Sequence, residues 1–97
     1  MSASNPLADK IALVTGASRG IGRASALALA RAGAHVIAVA RTEGGLTELD
    51  DEIRAATGQP ATLVPLDIAD GGGLDQLGLA LHQRFGRLDV LVHAAAI

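Results

Sequence analysis

Four short apolar segments divide the chain, and none of them alternates between apolar and polar residues. A strand with one exposed face alternates with a period of two, whereas a strand buried on both faces is a continuous run of residues such as Val, Ile and Leu. The pattern therefore predicts four strands of a parallel sheet covered on both faces. In chain order they are KIALVT (Lys10–Thr15), HVIAVA (His35–Ala40), ATLVPLD (Ala61–Asp67) and RLDVLVHAAAI (Arg87–Ile97).

The segments between these strands carry apolar residues at helical spacing. The first predicted helix runs from Ile21 to Ala32 and stops before Gly33, a residue suited to a helix C-cap. The second covers residues 41–58, and the third, weakened by several glycines, covers residues 70–86. The apolar stripes that predict them are Leu46, Leu49, Ile53 and Ala56 in the second helix, and Leu74, Leu77, Leu81 and Phe85 in the third.

The resulting order, β-α-β-α-β-α-β, predicts the α/β class, with a doubly wound parallel sheet and right-handed crossovers. Such crossovers place the first two helices on one face and the third on the other, and they leave the fourth strand at an edge. Residues 1–9, mostly small and polar with Pro6, predict a flexible leader, and residues 10–97 are the predicted half-domain. An exposed apolar edge favours a chain that is part of a longer protein.

Composition argues against several kinds of partner. The 97 residues hold 8 Lys and Arg against 10 Asp and Glu, with one aromatic residue, Phe85. Nucleic acid binding calls for a basic surface or stacking rings, and no apolar run here is long enough to span a bilayer. There is no cysteine, and the three histidines lack metal-ligand spacing, so neither a disulfide nor a metal site is expected. The N-terminus has no signal pattern, so we expect a cytoplasmic protein.

Three glycines lie between the first strand and the first helix, in the stretch TGASRGIG (Thr15–Gly22). A helix N-terminus carries unpaired N–H groups and a partial positive charge, and it binds phosphate when the backbone can come close. Gly16 permits the tight turn, Gly20 lets the backbone approach a ligand, and Gly22 lets the helix pack against the strand. The spacing G-x-x-x-G-x-G inside a complete βαβ unit favours a dinucleotide site over an ordinary glycine-rich turn.

TGASRGIG resembles the cofactor loop of the short-chain dehydrogenase/reductase family, and two later segments agree with it. LDIAD (Leu66–Asp70) is similar to the family's adenine-contacting segment, and RLDVLVHAAAI lies where the family has a strand ending in Asn-Asn-Ala-Gly. The three motifs occur in the right order, and the resemblance covers nearly all of the chain beyond the leader. It implies a Rossmann-like fold, of which this chain is the N-terminal, cofactor-binding half, truncated before the catalytic half.

The resemblance implies a contact for each residue that matches a family motif. Asp67 would accept a hydrogen bond from the adenine amino group, and Ile68 would offer its backbone amide to the adenine ring. Ala94, Ala95 and Ala96 would form the floor below the adenosine ribose and the approach to the nicotinamide. The pyrophosphate and adenosine would be lined by Gly16, Ser18, Arg19, Gly20, Ile21 and Gly22.

The last of the three motifs departs from the family pattern. His93, Ala94 and Ala96 stand where the family has Asn, Asn and Gly, and Ala95 alone matches. The small side chains preserve the floor of the site, but the amides that would tie the strand end to its neighbours are missing. His93 could bond a neighbouring loop instead, although we favour the simpler interpretation of an ordinary histidine at a strand end.

The end of the second strand favours NADP over NAD as the cofactor. Enzymes that use NAD place Asp or Glu there to bind the ribose 2′-hydroxyl, and a carboxylate would repel a 2′-phosphate. This chain has Ala40 and then Arg41, and a guanidinium binds phosphate through two hydrogen bonds. Arg19 could approach the same phosphate from the glycine loop. The alternative is that Arg41 is a solvated charge that pairs with Glu43.

The family's reaction is hydride transfer between the nicotinamide and a carbonyl or alcohol, with a Tyr, a Lys and a Ser at the reacting centre. These 97 residues contain no Tyr, and their single Lys is Lys10, so no catalytic residue is assigned. We expect the parent protein to be an NADP(H)-dependent oxidoreductase acting on a small-molecule carbonyl or alcohol, and a homodimer or homotetramer as the family suggests. The alternative is a non-catalytic dinucleotide-binding module or a truncated paralogue.

Overall fold

The computed structural model describes residues 6–17, 20–66 and 71–93. Within these ranges strands alternate with helices along the chain. The strands are β1 (Ile11–Thr15), β2 (His35–Ala40), β3 (Thr62–Pro65) and β4 (Val90–His93). The helices between them are α1 (Gly20–Arg31), α2 (Glu43–Thr57) and α3 (Gly71–Phe85). The predicted order of elements and the α/β class are confirmed.

The described strands form a parallel sheet in the order β3-β2-β1-β4. Strand β1 lies inside the sheet, with Thr15 opposite Val39 of β2 and, on the other side, opposite His93 of β4. Among the described residues β4 pairs with β1 alone, so its predicted position at an edge is confirmed. Leu91 of β4 is accordingly 61% exposed.

Strand β4 begins later than its apolar run predicted, at Val90. The residue before it, Asp89, accepts a hydrogen bond on its carboxylate from the N–H of Ile11 at 2.7 Å, and the N–H of Asp89 donates to the Ile11 carbonyl at 2.9 Å. The Arg87 guanidinium donates to the same carboxylate at 2.6 Å. The hydrogen bonds from Arg87 and from Ile11 hold the pKa of Asp89 below its usual value. The Asp89 side chain thus accepts the Ile11 N–H that a further ladder bond would use. The paired strand starts at Val90, three residues after the predicted start at Arg87.

The two faces of the sheet are covered by different helices. Alternate residues of a strand point to opposite faces, so Val36 and Ala38 of β2 belong to one apolar cluster and Ile37 and Val39 to another. The predicted distribution, with two helices on one face and one on the other, is confirmed by the members of these clusters. The helical members are Ala26, Ala30, Leu46, Leu49 and Ile53 from α1 and α2 on the first face, and Leu77, Leu81 and the partly buried Phe85 from α3 on the second.

Polar contacts fix α2 to its neighbours on the first face. Arg23 of α1 forms ion pairs with Glu48 and Glu52 of α2. Asp50, which is 8% exposed, accepts a hydrogen bond from the N–H of Ala61 at 2.8 Å, just before β3 begins. These contacts hold α2 against α1 and set the position at which the chain enters β3.

Candidate cofactor site

The carboxyl ends of β1 and β4 lie side by side at a point where the connections of the sheet change direction. From β1 the chain moves outward through β2 to β3, and β4 then lies on the opposite side of β1. In open α/β sheets the crevice outside the carboxyl ends of strands at such a point is where ligands bind. Thr15 and His93 stand opposite each other at this position, so they mark the place where the fold favours a ligand.

The glycine loop leaves β1 at the same edge of the sheet. Gly16 directly follows the strand with a φ of 67°, a left-handed conformation that glycine adopts without steric cost. The N–H of Ala17 then donates to the carbonyl of Val39 on β2 at 3.0 Å. A Cβ on Gly22 would overlap the carbonyl oxygen of Gly16, so the loop and the first turn of α1 pack backbone against backbone. Close packing of this kind is the role that the sequence predicted for Gly22.

The first turn of α1 is open to solvent. Gly20 is the first residue of the helix, is exposed, and has no atom within 4 Å of the position that a Cβ would occupy. The next residue, Ile21, is 79% exposed. N–H groups in the first turn of a helix have no partner within the helix, and they attract anions. A phosphate could therefore approach these amides without displacing a side chain of the described residues.

The end of β2 provides the second group of predicted contacts. Ala40 is buried at 6% exposure and Arg41, just beyond the strand, is exposed. Arg41 and Glu43, which both lie in the described part of the chain, form no ion pair with each other. Thr42 is the N-cap of α2, with an extended backbone and no side-chain capping bond. This edge thus brings a guanidinium and a hydroxyl to the N-terminus of α2, the combination that suits a phosphate.

Seven of the predicted site residues lie outside the residues that the structure describes. They are Ser18, Arg19, Asp67, Ile68, Ala94, Ala95 and Ala96. Gly16, Gly20, Ile21, Gly22 and Arg41 are described, and all five lie at the carboxyl edge of the sheet. The segments that hold the other seven directly follow Ala17, Leu66 and His93 in the chain.

His93 makes a contact that the sequence analysis did not include. It lies at the end of β4, and its Nδ1 is 2.8 Å from the Oγ1 of Thr15, the last residue of β1, with which it forms a hydrogen bond. Thr15 is 1% exposed, so this bond supplies a partner for a buried hydroxyl. Thr15 is not among the site residues that the sequence predicted. Thr15 directly follows IALV in the first run, and His93 directly follows VLV in the fourth. Aligning the ends of these two apolar stretches as parallel neighbours would have identified the pair.

The described residues offer neither a metal site nor a helix for a membrane. Among them no three His, Cys, Asp or Glu side chains come close enough to hold a metal ion. No helix in these ranges is both long enough and apolar enough to cross a bilayer.

Two neighbouring connections at this edge present groups that suit phosphate. Open helix amides stand at the β1–α1 connection, and Arg41 with Thr42 stands at the adjacent β2–α2 connection. The fold is that of a nucleotide-binding unit of the Rossmann type.

The chain belongs to the short chain dehydrogenase family, whose sequence profile matches residues 10–97. A short-chain dehydrogenase/reductase of a Cladobotryum species, FrzI, is 40% identical over 91 residues, which cover 94% of this chain and 35% of that protein. A fatty acyl-CoA reductase of Acinetobacter baylyi is 42% identical over 86 residues, which cover 89% of this chain and 29% of that protein. The chain therefore spans about a third of the length of the relatives that it matches.

Solved structures agree with the family assignment. A short chain dehydrogenase structure from Shigella flexneri 2a str. 301, complexed with NADP, superposes with a TM-score of 0.90 at 36% identity. The match covers 97% of this chain and 40% of that one. A second, from Escherichia coli CFT073 and complexed with NADPH, has a TM-score of 0.88 at 38% identity, with 97% and 40% of the two chains covered. The Rossmann-like α/β fold is thus shown for the chain.

Proposed function

We propose that this chain is the cofactor-binding half of an NADP(H)-dependent oxidoreductase of the short-chain dehydrogenase/reductase type. The observation that carries the proposal is the open first turn of α1, where Gly20 exposes backbone amides beside the loop that Gly16 and Gly22 close. When bound, the nicotinamide would supply or accept a hydride in a reaction with a carbonyl or alcohol. The residues of this chain would bind and orient the dinucleotide, and none of them is assigned to the chemical step.

In this proposal the β1–α1 connection binds the pyrophosphate, and the β2–α2 connection binds the ribose phosphate. The amides at Gly20, Ile21 and Gly22 would receive the pyrophosphate, because helix N-terminal N–H groups favour negative charge. The proposal extends to the residues outside the described ranges, which would line the adenosine side and the floor of the site. They are Ser18, Arg19, Asp67, Ile68, Ala94, Ala95 and Ala96.

The preference for NADP over NAD is proposed from Arg41. A guanidinium at the end of β2 would bind a 2′-phosphate, and the buried Ala40 offers no carboxylate for a 2′-hydroxyl. The similarity to structures complexed with NADP and NADPH supports this preference. Glu43, two residues after Arg41 in the chain, is the carboxylate that could compete for the guanidinium. The two described side chains form no ion pair with each other, which leaves Arg41 available for a phosphate.

The proposal is tested by titrating the natural full-length protein with NADPH and with NADH. We expect NADPH to bind more tightly, and Arg41→Ala to weaken NADPH binding about tenfold or more while NADH binding changes little. Arg31→Ala is the matched control, because Arg31 is the exposed last residue of α1 and lies at the opposite edge of the sheet. Equal binding of the two cofactors, or equal effects of the two variants, would contradict the NADP preference.

Turnover separates the two functions that the sequence left open. An oxidoreductase oxidises NADPH in the presence of a panel of aldehydes and ketones, whereas a non-catalytic dinucleotide-binding module binds NADPH without consuming it. The sequence observation that favours the module is the lack of any Tyr in these 97 residues. Absence of binding to either cofactor by the folded protein would exclude both functions.

The remaining properties are proposals as well. They are a small-molecule carbonyl or alcohol substrate, a homodimeric or homotetrameric assembly, a cytoplasmic location, and a division of the chain into a leader (residues 1–9) and a dinucleotide-binding half-domain (residues 10–97). Size-exclusion chromatography with light scattering tests the assembly, and limited proteolysis tests the boundary at residue 10.

A further inference from the structure

We propose that His93 is a positioning residue for the glycine loop, and that it acts through Thr15. The inference rests on the proposed function, because the loop that it positions is the proposed pyrophosphate site. Its basis is the 2.8 Å hydrogen bond between Nδ1 of His93 and Oγ1 of Thr15, which joins the carboxyl ends of β4 and β1. Thr15 is the last residue of its strand, and Gly16 follows it directly.

The start of the loop is held from three directions. On one side the N–H of Ala17 donates to the carbonyl of Val39 on β2 at 3.0 Å. From the first turn of α1, the backbone of Gly22 packs against the carbonyl of Gly16. On the other side His93 holds the hydroxyl of Thr15 from β4. The first two contacts are made by the backbone, so His93 supplies the contact of the three that depends on a side chain from another strand.

The geometry of the imidazole explains how it can serve here. Nδ1 is attached directly to Cγ, as the oxygen and nitrogen of an Asn side-chain amide are. The Asn that the family places at this position could therefore reach Thr15 with a polar atom at the same distance from the backbone. Nε2 lies one bond further from Cγ than Nδ1 does, and no polar atom of an Asn side chain lies at that distance. With His in place of Asn, the chain thus keeps a side-chain hydrogen bond to the end of β1.

Loss of the hydrogen bond between His93 and Thr15 should affect the glycine loop more than the overall fold. His93 is exposed, and the described part of β4 is an edge strand, so loss of its side chain leaves the apolar clusters intact. Thr15, in contrast, is buried, and without a partner its hydroxyl would be free to turn. The backbone of Gly16 would then be held less firmly. As a consequence, the N–H groups at the start of α1 would be less well aligned for a phosphate.

The test compares His93→Ala, His93→Asn and Thr15→Val in the natural full-length protein, with His82→Ala as the control. His82 is an exposed histidine of α3, and its side chain forms no hydrogen bond or ion pair within the described residues. We expect His93→Ala and Thr15→Val each to weaken NADPH binding about three- to tenfold. The double variant should be no weaker than either single variant, because both remove the same bond. His93→Asn should bind as the natural protein does.

Hydrogen exchange in the cofactor-free protein gives a second readout. We expect faster amide exchange at Ala17 and Gly22 in His93→Ala, and unchanged exchange in the middle of α2. A thermal midpoint that falls while NADPH binding and loop exchange stay unchanged would make the bond purely structural and overturn the inference. Additive effects in the double variant, or failure of Asn to restore binding, would also overturn it. If the natural protein binds neither cofactor, the proposed function fails, and loop exchange alone then decides whether His93 positions the loop.

Discussion

The carbonyl oxygen of Gly16 occupies the space that a Cβ on Gly22 would need. The two glycines are six positions apart in the chain, yet the turn after β1 folds the backbone back onto the first turn of α1. No side chain of any size can be accommodated between them unless the loop or the helix moves. This contact therefore couples the position of the helix N-terminus to the end of β1.

Replacing Gly22 should be the most damaging alanine substitution in the loop. The added methyl group meets backbone atoms, which cannot rotate away, so we expect Gly22→Ala to lower the free energy of unfolding by about 3 kcal/mol. NADPH binding should be lost as well, because the helix amides shift. Urea denaturation monitored by circular dichroism measures the first effect, and cofactor titration at low temperature measures the second.

Gly78→Ala is the matched control for that substitution. Gly78 lies inside α3, is exposed, and has no atom within 4 Å of the position that an added methyl group would occupy. Alanine is the better helix former, so the free energy of unfolding should rise by about 0.5–1 kcal/mol. Equal stability changes in the two variants would contradict the packing argument for Gly22.

Asp50 provides a separate test of how α2 is attached to the sheet. Its carboxylate accepts hydrogen bonds from the N–H of Ala61 and from Nε of Arg54, both at 2.8 Å. Asp50→Ala should lower the free energy of unfolding by about 1–3 kcal/mol, because the Ala61 N–H loses its acceptor. Asp50→Asn keeps an acceptor oxygen for Ala61 and loses the charged hydrogen bond with the exposed Arg54, so its cost should be below about 1 kcal/mol. A comparable loss in both variants, measured by urea denaturation, would mean that the charge and not the Ala61 bond matters.

The order of elements and the two faces of the sheet could be predicted from the sequence. Buried parallel strands are continuous apolar runs, and HVIAVA became β2 with the predicted bounds. The glycine loop could be predicted because its conformation is local and requires residues without a Cβ. The strand ends were less predictable. The apolar run extended to residue 67, but β3 ends at Pro65, because its ladder partner Ala40 is the last residue of β2.

The side-chain contacts between distant segments could not be predicted in the same way. The bond between His93 and Thr15 joins residues 78 positions apart, and it exists because β1 and β4 pair in one particular register. A shift of that register by one residue would turn His93 to the other face of the sheet. The apolar pattern predicts that the two strands are buried, but it does not determine which of their polar residues meet.

The last prediction concerns His35, whose ring lies between β3 and α3. Nε2 of His35 is 2.8 Å from Oγ1 of Thr62, and the ring centroid is 5.4 Å from that of Phe85, the last residue of α3. Burial lowers the pKa of His35 below its ordinary value of 6.5, and the nearby Arg84 guanidinium lowers it further. The folded protein thus holds this histidine neutral at a pH where the unfolded chain already binds a proton.

The sign of the pH dependence follows from this difference. The stability that the neutral ring contributes is fully present above pH 6.5, falls as the pH drops below that value, and levels off once the pH is below the folded-state pKa. His35→Gln keeps a polar atom in reach of Thr62 but does not titrate, so its free energy of unfolding should vary less between pH 7.5 and pH 5. The matched control, His82→Gln, replaces an exposed histidine and should retain the pH dependence of the natural protein. Urea denaturation at each pH measures the effect, and a His35→Gln profile parallel to that of the natural protein would show that His35 does not link protonation to the packing of α3.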